Sequence, residues 1–295
     1  MSDIFISSII YGILIGAVYS LIALGYVVIF KSSKIVSFAQ GGILLIGATI
    51  AWALLDVVKL PIVLAIIVAL IGCAILGLAI ERFTLRPIMG QPLLSSVMIT
   101  VALLWLFDAI AVLTVTGAGR AFPPLMPSGV FQLGEVRISQ AQLLVFIIAI
   151  ILFIIFTIFY RYTKVGLAMR GTAEDHEVIQ SFGIKVTNIY SLTWGIAALT
   201  AGIGGILMAS VLNLNISLEL LGWKALIVIL IGGLESITGA IIVGPLVGIL
   251  ETLSTVYIDP IVGGGMRDVA PFIVMIIVLL IRPYGLFGLK KIERI

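Results

Sequence analysis

A polytopic bundle of membrane helices is the fold class that this sequence predicts: all-α, about eight membrane elements, some of them broken at glycines. Three observations predict it. Hydrophobic residues make up 62% of the 295 and charged residues only 11%, where a soluble domain carries about 25% charged residues. The mean hydropathy is +1.32. Several apolar runs approach or exceed the ~20 residues needed to cross the hydrocarbon core of a bilayer.

The elements follow in order. Apolar runs place spans near 4–30, 39–55, 60–81, 93–115, 142–160, 191–212 and 269–282. The first starts directly after "MSD", with no basic flank and no small-residue cleavage site, so it reads as a retained span rather than a signal peptide. The stretch 225–256 is longer than one crossing of a ~30 Å core requires at 1.5 Å per residue. It reads as two short helices hinged at "GGLESITG", Gly232 to Gly239. The whole of 1–295 is then one transmembrane domain, with an external loop at 116–141, a loop at 161–190 and a basic tail at 283–295.

Charge gives the orientation. Twelve of the 17 basic residues fall in alternate connections: Lys31 and Lys34, Arg82 and Arg86, then Arg161, Lys164, Arg170 and Lys185, and finally Arg282, Lys290, Lys291 and Arg294. The other connections hold Lys59, Arg120, Arg137, Lys224 and Arg267. The positive-inside rule puts the first set, the 161–190 loop and the C-terminus in the cytoplasm, and the N-terminus outside. This closes only if 225–256 enters and leaves on one side. The external loop, with Pro123, Pro124 and Pro127 among glycines, reads as a lid, a docking surface or a plain connector.

Some function classes drop out. A formal charge of +3 is too small to suggest nucleic acid. No cluster of His, Cys and carboxylates has metal-ligand spacing, and His176 reads as a solvated loop residue. Cys73 stands alone in mid-span and reads as packing. No nucleophile–base pair is evident, so the chain is not expected to be an enzyme. No G-x-x-x-x-G-K-[ST] occurs, so any ATP that drives it, with its magnesium, sits on another polypeptide.

Irregular backbone at membrane depth is tolerated only where protein or a water-filled cavity covers it. Two segments qualify, one in each half of the chain: "SFAQGG" and "GGLESITG". Gly-interrupted segments in the two halves point to a transport pathway. Ser37, Phe38, Gln40, Gly41 and Gly42 are its candidates in the first, and Gly232, Gly233, Glu235, Ser236 and Gly239 in the second. Free N–H groups after Gly41 or Gly239 could meet a substrate carboxylate. Helix packing is the competing reading, and it is the one assigned to the Gly12/Gly16 and Gly244/Gly248 pairs.

Three carboxylates lie in or near spans. Asp108 is deepest by count and is either a proton relay or a contact, protonated or bonded on its Thr114 side. Glu251 could face a cavity or a neighbouring subunit. Glu81, beside Arg82, reads as an edge ion pair.

The segment "RGTAEDHEVIQSFGI" is a charged island in an oily chain. Thr172 and Asp175 make a capping-box-like start. Glu174, Asp175 and Glu177 crowd a first turn, where the helix dipole favours anions. Val178, Ile179 and Phe182 form one apolar face, and Gly183 ends the element. A helix of about ten residues, near 173–182, is too short to be stable alone. It must dock, on membrane lipid or in a groove of a cytosolic partner.

"YRYTKVGLAMRGTAEDHEVIQSFGI", "KALIVILIGGLESITGAIIVGPLVGILE" and "RPYGLFG" resemble the LivH-type permeases of branched-chain amino-acid ABC transporters. "YSLIALGYVVIF" with "IVSFAQGGILLIGA" resembles their first conserved block, and the likeness covers nearly the whole chain. It implies the permease subunit of an ABC importer in a bacterial inner membrane. Two cytosolic ATPases would drive it, an external binding protein would deliver the substrate, and a second related permease, or a second copy, would complete it. The island from Thr172 through Ala173 to Ile184 would be the coupling helix that sits in an ATPase cleft. Ile179 stands where the family often has a small residue, Gln40 where it often has His, and Glu235 and Thr238 where it has Gly and Pro. An ionised Glu235 would repel a substrate carboxylate, so a neutral amide stays beside the amino acids as a substrate. An ion-coupled secondary transporter and a passive channel are the alternatives from other classes.

Overall fold

The computed structural model describes residues 2–88, 90–115, 119–133, 136–174 and 176–288. Helix α1 runs Ser2–Ser33 and helix α2 runs Gln40–Trp52, continued by a wide π turn Ala53–Val57. Helix α3 is Ile62–Ala79, continued by a second π turn, Ile80–Leu85, and α4 is Leu93–Thr114. Strands β1 Val130–Leu133 and β2 Val136–Ser139 form an antiparallel hairpin ahead of α5, Gln140–Tyr162. Then come α6 Lys164–Glu174, α7 His176–Ser181 and α8 Val186–Leu212. Helix α9 is Leu220–Gly232, α10 Ile237–Leu253, α11 Asp259–Val262 and α12 Met266–Ile281. Among the described residues, seven helical segments are long and apolar enough to cross a membrane.

Helices α1, α2, α8 and α9 form the core, and glycine decides how closely they meet. A Cβ on Gly12 would lie 2.5 Å from the Ile249 backbone, and one on Gly248 only 2.1 Å from the Gly12 carbonyl oxygen. These two glycines, with Gly16 and Gly244, form the seam along which α1 and α10 run antiparallel. Between membrane helices, such close packing replaces a hydrophobic driving force that lipid cannot supply. Gly248→Val is therefore expected to separate α1 from α10 at a cost of about 1–3 kcal/mol or more. Loss of a monodisperse peak in mild detergent, with synthesis unchanged, is the readout. Cys73 is fully buried against Gly47 and Gly202, a packing residue as expected.

Residues 225–256 do form two helices. Helix α9 ends at Gly232, where Gly233 (φ +107°) turns the chain, and α10 starts after Ser236, whose hydroxyl accepts the Gly239 N–H at 2.9 Å. Gly232 and Gly239 touch backbone to backbone. The "RPYGLFG" segment then closes over this hinge. Leu286 and Phe287 donate their N–H groups to the carbonyls of Ile231 and Gly232, at 2.7 and 3.0 Å. Those carbonyls belong to the last turn of α9 and have no partner within the helix. The end of the described chain thus supplies the missing bonds.

Three features of the fold go beyond the reading of the sequence. Lys224, counted as a loop charge, lies inside α9 with only 8% of its side chain exposed. The 116–141 loop contains a hairpin, tied to α1 by a hydrogen bond from the Tyr11 hydroxyl to the Arg137 carbonyl. Its strands alternate too briefly to stand out among the prolines. Glu81 pairs not with Arg82 but with Arg86, which reaches both its oxygens (3.1 and 2.9 Å), while Ser191 donates a third bond. The wide turn Ile80–Leu85 brings position 86 round to a carboxylate that is wholly buried.

Candidate functional site

The two broken segments do not meet. "SFAQGG" leads into the start of α2, which packs on the start of α9. A Cβ on Gly222 would lie 2.3 Å from the Gly41 Cα, and the Phe38 and Trp223 rings are 5.7 Å apart. "GGLESITG" lies at the other end of α9, whose 13 residues separate the two by about 20 Å at 1.5 Å per residue. Gly42 packs on Phe107, so every glycine of the pair of motifs, Gly233 included, has a packing neighbour within the chain. At the first break, Ser37 and Gln40 are buried, and Ser37 Oγ and Gln40 Oε1 have no hydrogen-bond partner among the described residues. Buried polar atoms are rarely left so. At the second break, Glu235 is held by Lys34 at 2.6 Å. The cation just past the end of α1 offsets the charge that would otherwise repel a carboxylate.

Asp108 faces Glu219, not Thr114, whose hydroxyl bonds back to Ala111. Asp108 Oδ1 and Glu219 Oε2 are buried and have no hydrogen-bond partner among the described residues. Asp108→Asn replaces one of two facing carboxyls by an amide of the same shape that can donate to the other, so it is expected to retain most of the transport and all of the folding. Uptake in vesicles checks this, and a collapse to background would mean that the carboxyl itself is required.

The described residues of the charged island fall in α6, which begins well before it at Lys164, and in α7, His176–Ser181. Thr172, expected as a cap, is buried in the last turn of α6, and its hydroxyl bonds back to the Ala168 carbonyl at 2.8 Å. Asp175 lies outside the described residues. Glu177 and Val178 belong to α7, and Ala173 and exposed Glu174 close α6. Ile179 packs on Gly171, where a Cβ would lie 2.4 Å from its tip. Its size thus fills a gap between the two helices. Phe182 is 76% exposed, and Gly183 turns at φ +79°. Arg170 and Lys31 sit over the Tyr160 ring, at 5.5 and 5.2 Å, and fasten the island to α1 and α5.

The largest charge cluster lies elsewhere, and sequence reading assembled only one of its members. Glu251, 1% exposed, accepts from Lys224 at 2.8 Å and from Arg267 on one oxygen, and from the Tyr19 hydroxyl at 2.6 Å on the other. Lys224 also pairs with Asp268 at 3.0 Å. Tyr19 stands midway along the 4–33 span, so the cluster is at mid-depth. Spacing along the chain gives no hint of it, because α1, α9, α10 and α12 each contribute separately. The one usable signal was that Lys224 sits only a residue before a long apolar run.

A helical bundle with helices broken at depth, an amphipathic element beside it and buried ion pairs at its middle is an integral membrane protein of the transport class. The chain belongs to the family of branched-chain amino acid transport system permease components, whose model matches residues 8–279. It is 30% identical to the high-affinity branched-chain amino acid transport system permease protein BraD of Pseudomonas aeruginosa, over 99% of this chain and 98% of that protein. It is 28% identical to the permease protein LivH of Escherichia coli, with the same coverage. One chain of the structure of PsaBC from Streptococcus pneumoniae in complex with a Fab is similar at TM-score 0.47 and 15% identity, over 96% of this chain and 92% of that one.

Proposed function

We propose that this chain is the membrane-spanning permease subunit of an ATP-driven ABC importer for branched-chain or related amino acids. Membership of the permease family across residues 8–279 carries the reading. Two cytosolic ATPases bind and hydrolyse ATP with magnesium, an external binding protein delivers the substrate, and a second related permease, or a second copy, completes the pathway. The N-terminus lies outside and the C-terminus inside a bacterial inner membrane. Basic connections on the Lys34 side support this placement, and removing Lys224 from the loop count strengthens the asymmetry.

In this reading α6 and α7 form the ATPase contact, with exposed Phe182 as the apolar element of a helix-in-groove fit. Arg170 and Lys31 over Tyr160 pass movement of the island to α1, and Lys34–Glu235 passes it to the α9–α10 hinge. Nucleotide then shifts the balance between outward- and inward-facing states. Ser37, Phe38 and Gln40 line the pathway near one end of α9, and Glu235 and Ser236 near the other. The test is to tag the chain in its host, extract it in mild detergent and identify what comes with it. Two P-loop ATPases and a further permease are expected. A chain recovered alone that still takes up substrate without ATP would overturn the reading in favour of an ion-coupled carrier or a channel.

A further inference from the structure

We propose that Lys224, Arg267 and Asp268 form a binding site for the zwitterionic head of an apolar amino acid, in the cleft between α9 and α12. The inference rests on the importer reading and adds to it the place where the permease itself holds its substrate. Two adjoining cavities, of about 380 and 320 Å³, share Leu220, Lys224 and Asp268 in their walls. This is within the range of small-molecule sites. Trp223 and Phe272 complete the apolar wall of the larger one, and Arg267 lies in the smaller.

The two carboxylates of the cluster have different tasks. Glu251 is fully buried and spends both oxygens on Tyr19, Lys224 and Arg267, so it is a fixed counter-ion. The Asp268 side chain is 57% exposed to the cleft and reaches Lys224. Arg267, 45% exposed, bonds Glu251 through Nε alone among the described residues, which leaves both Nη groups for another acceptor. The cluster of two cations and two anions is neutral. A guest with one positive and one negative end can therefore insert into the Lys224–Asp268 pair without leaving a charge uncompensated. Its ammonium replaces Lys224 on Asp268, and its carboxylate takes Lys224 and the Arg267 fork.

A simple amine or a simple carboxylate would bring one unmatched charge to mid-depth, which is expensive there. The cluster thus selects for both ends of the guest at once, while Leu220, Trp223 and Phe272 accept an aliphatic side chain. Exposed charges on an outer helix face would also be costly against lipid tails, so this face borders water or protein.

The test uses the assembled complex with Phe272→Cys, and Leu220→Cys as the second position. Cys73, fully buried, stays as the background thiol. The rate of labelling by a charged methanethiosulfonate reagent is measured with L-leucine, with isopentylamine and with 4-methylpentanoate. L-leucine at ten times its dissociation constant is expected to slow labelling about tenfold by mass action. The amine and the acid are expected to leave the rate unchanged, and Asp268→Asn is expected to abolish the protection by leucine. No protection at either position while ATP-driven leucine uptake persists would overturn the site and leave the importer reading standing. Equal protection by the amine or the acid would overturn it as well. Absence of ATP-driven leucine uptake by the wild-type complex would instead remove the reading on which the site rests.

Discussion

Gly183→Pro is expected to abolish uptake while the chain still inserts and folds. Gly183 turns at φ +79° and donates its N–H to the Gln180 carbonyl at 2.9 Å. Proline fixes φ near −65° and has no N–H, so both the turn and the bond are lost. Among the described residues, nothing beyond its chain neighbours lies within 4 Å of a Cβ built at Gly183, so the damage is expected to stay with α7 and its approach to the ATPase. Phe182→Asp should give the same phenotype by another route. The ring is exposed in the isolated chain, so a carboxylate there costs the fold little, but it would be desolvated in an apolar cleft. ATP-driven uptake in vesicles, normalised to the amount of inserted protein, is the measurement. Full uptake by both variants would remove the coupling role from this loop.

The second large effect is expected at Glu251. Glu251→Ala takes the fixed counter-ion from Lys224 and Arg267 and the acceptor from Tyr19, all at mid-depth. Breaking a buried ion pair from one side costs about 3–5 kcal/mol, since the remaining charge is left uncompensated. Little folded protein is expected in the membrane fraction, followed by size-exclusion profiles and thermal inactivation in detergent. Glu251→Gln keeps the shape and an acceptor but not the charge, and should fall between alanine and wild type. If Glu251→Ala were as stable as the parent, Asp268 alone would be sufficient to balance the two cations.

Much of the architecture was legible because lipid restricts the choices. Spans near 142–160 and 191–212 appear as α5 Gln140–Tyr162 and α8 Val186–Leu212, since an apolar run in a bilayer has to satisfy its own backbone. The α9–α10 break was legible from glycines flanking Glu235, Ser236 and Thr238. The island was harder. Gly183 announced its end, but Thr172 proved to lie inside a helix, because α6 already bonds its own backbone as far as Glu174. A capping motif is only a local preference, and helix continuity outweighed it.

The sequence by itself determined a polytopic helical permease of a recognisable family, its main spans, its hinge and its charged loop. These follow from hydropathy, glycine and charge, which act over a few neighbouring residues. Tertiary structure alone decided which distant groups share a site. It placed Lys224 beside Glu251 and Asp268, gave Glu81 to Arg86, and set Asp108 against Glu219. It also held the two glycine breaks apart, at opposite ends of α9. The physical reason is that a buried charge must find its counter-ion across helices, and which helices lie side by side is settled by close packing at glycines such as Gly12, Gly41 and Gly248.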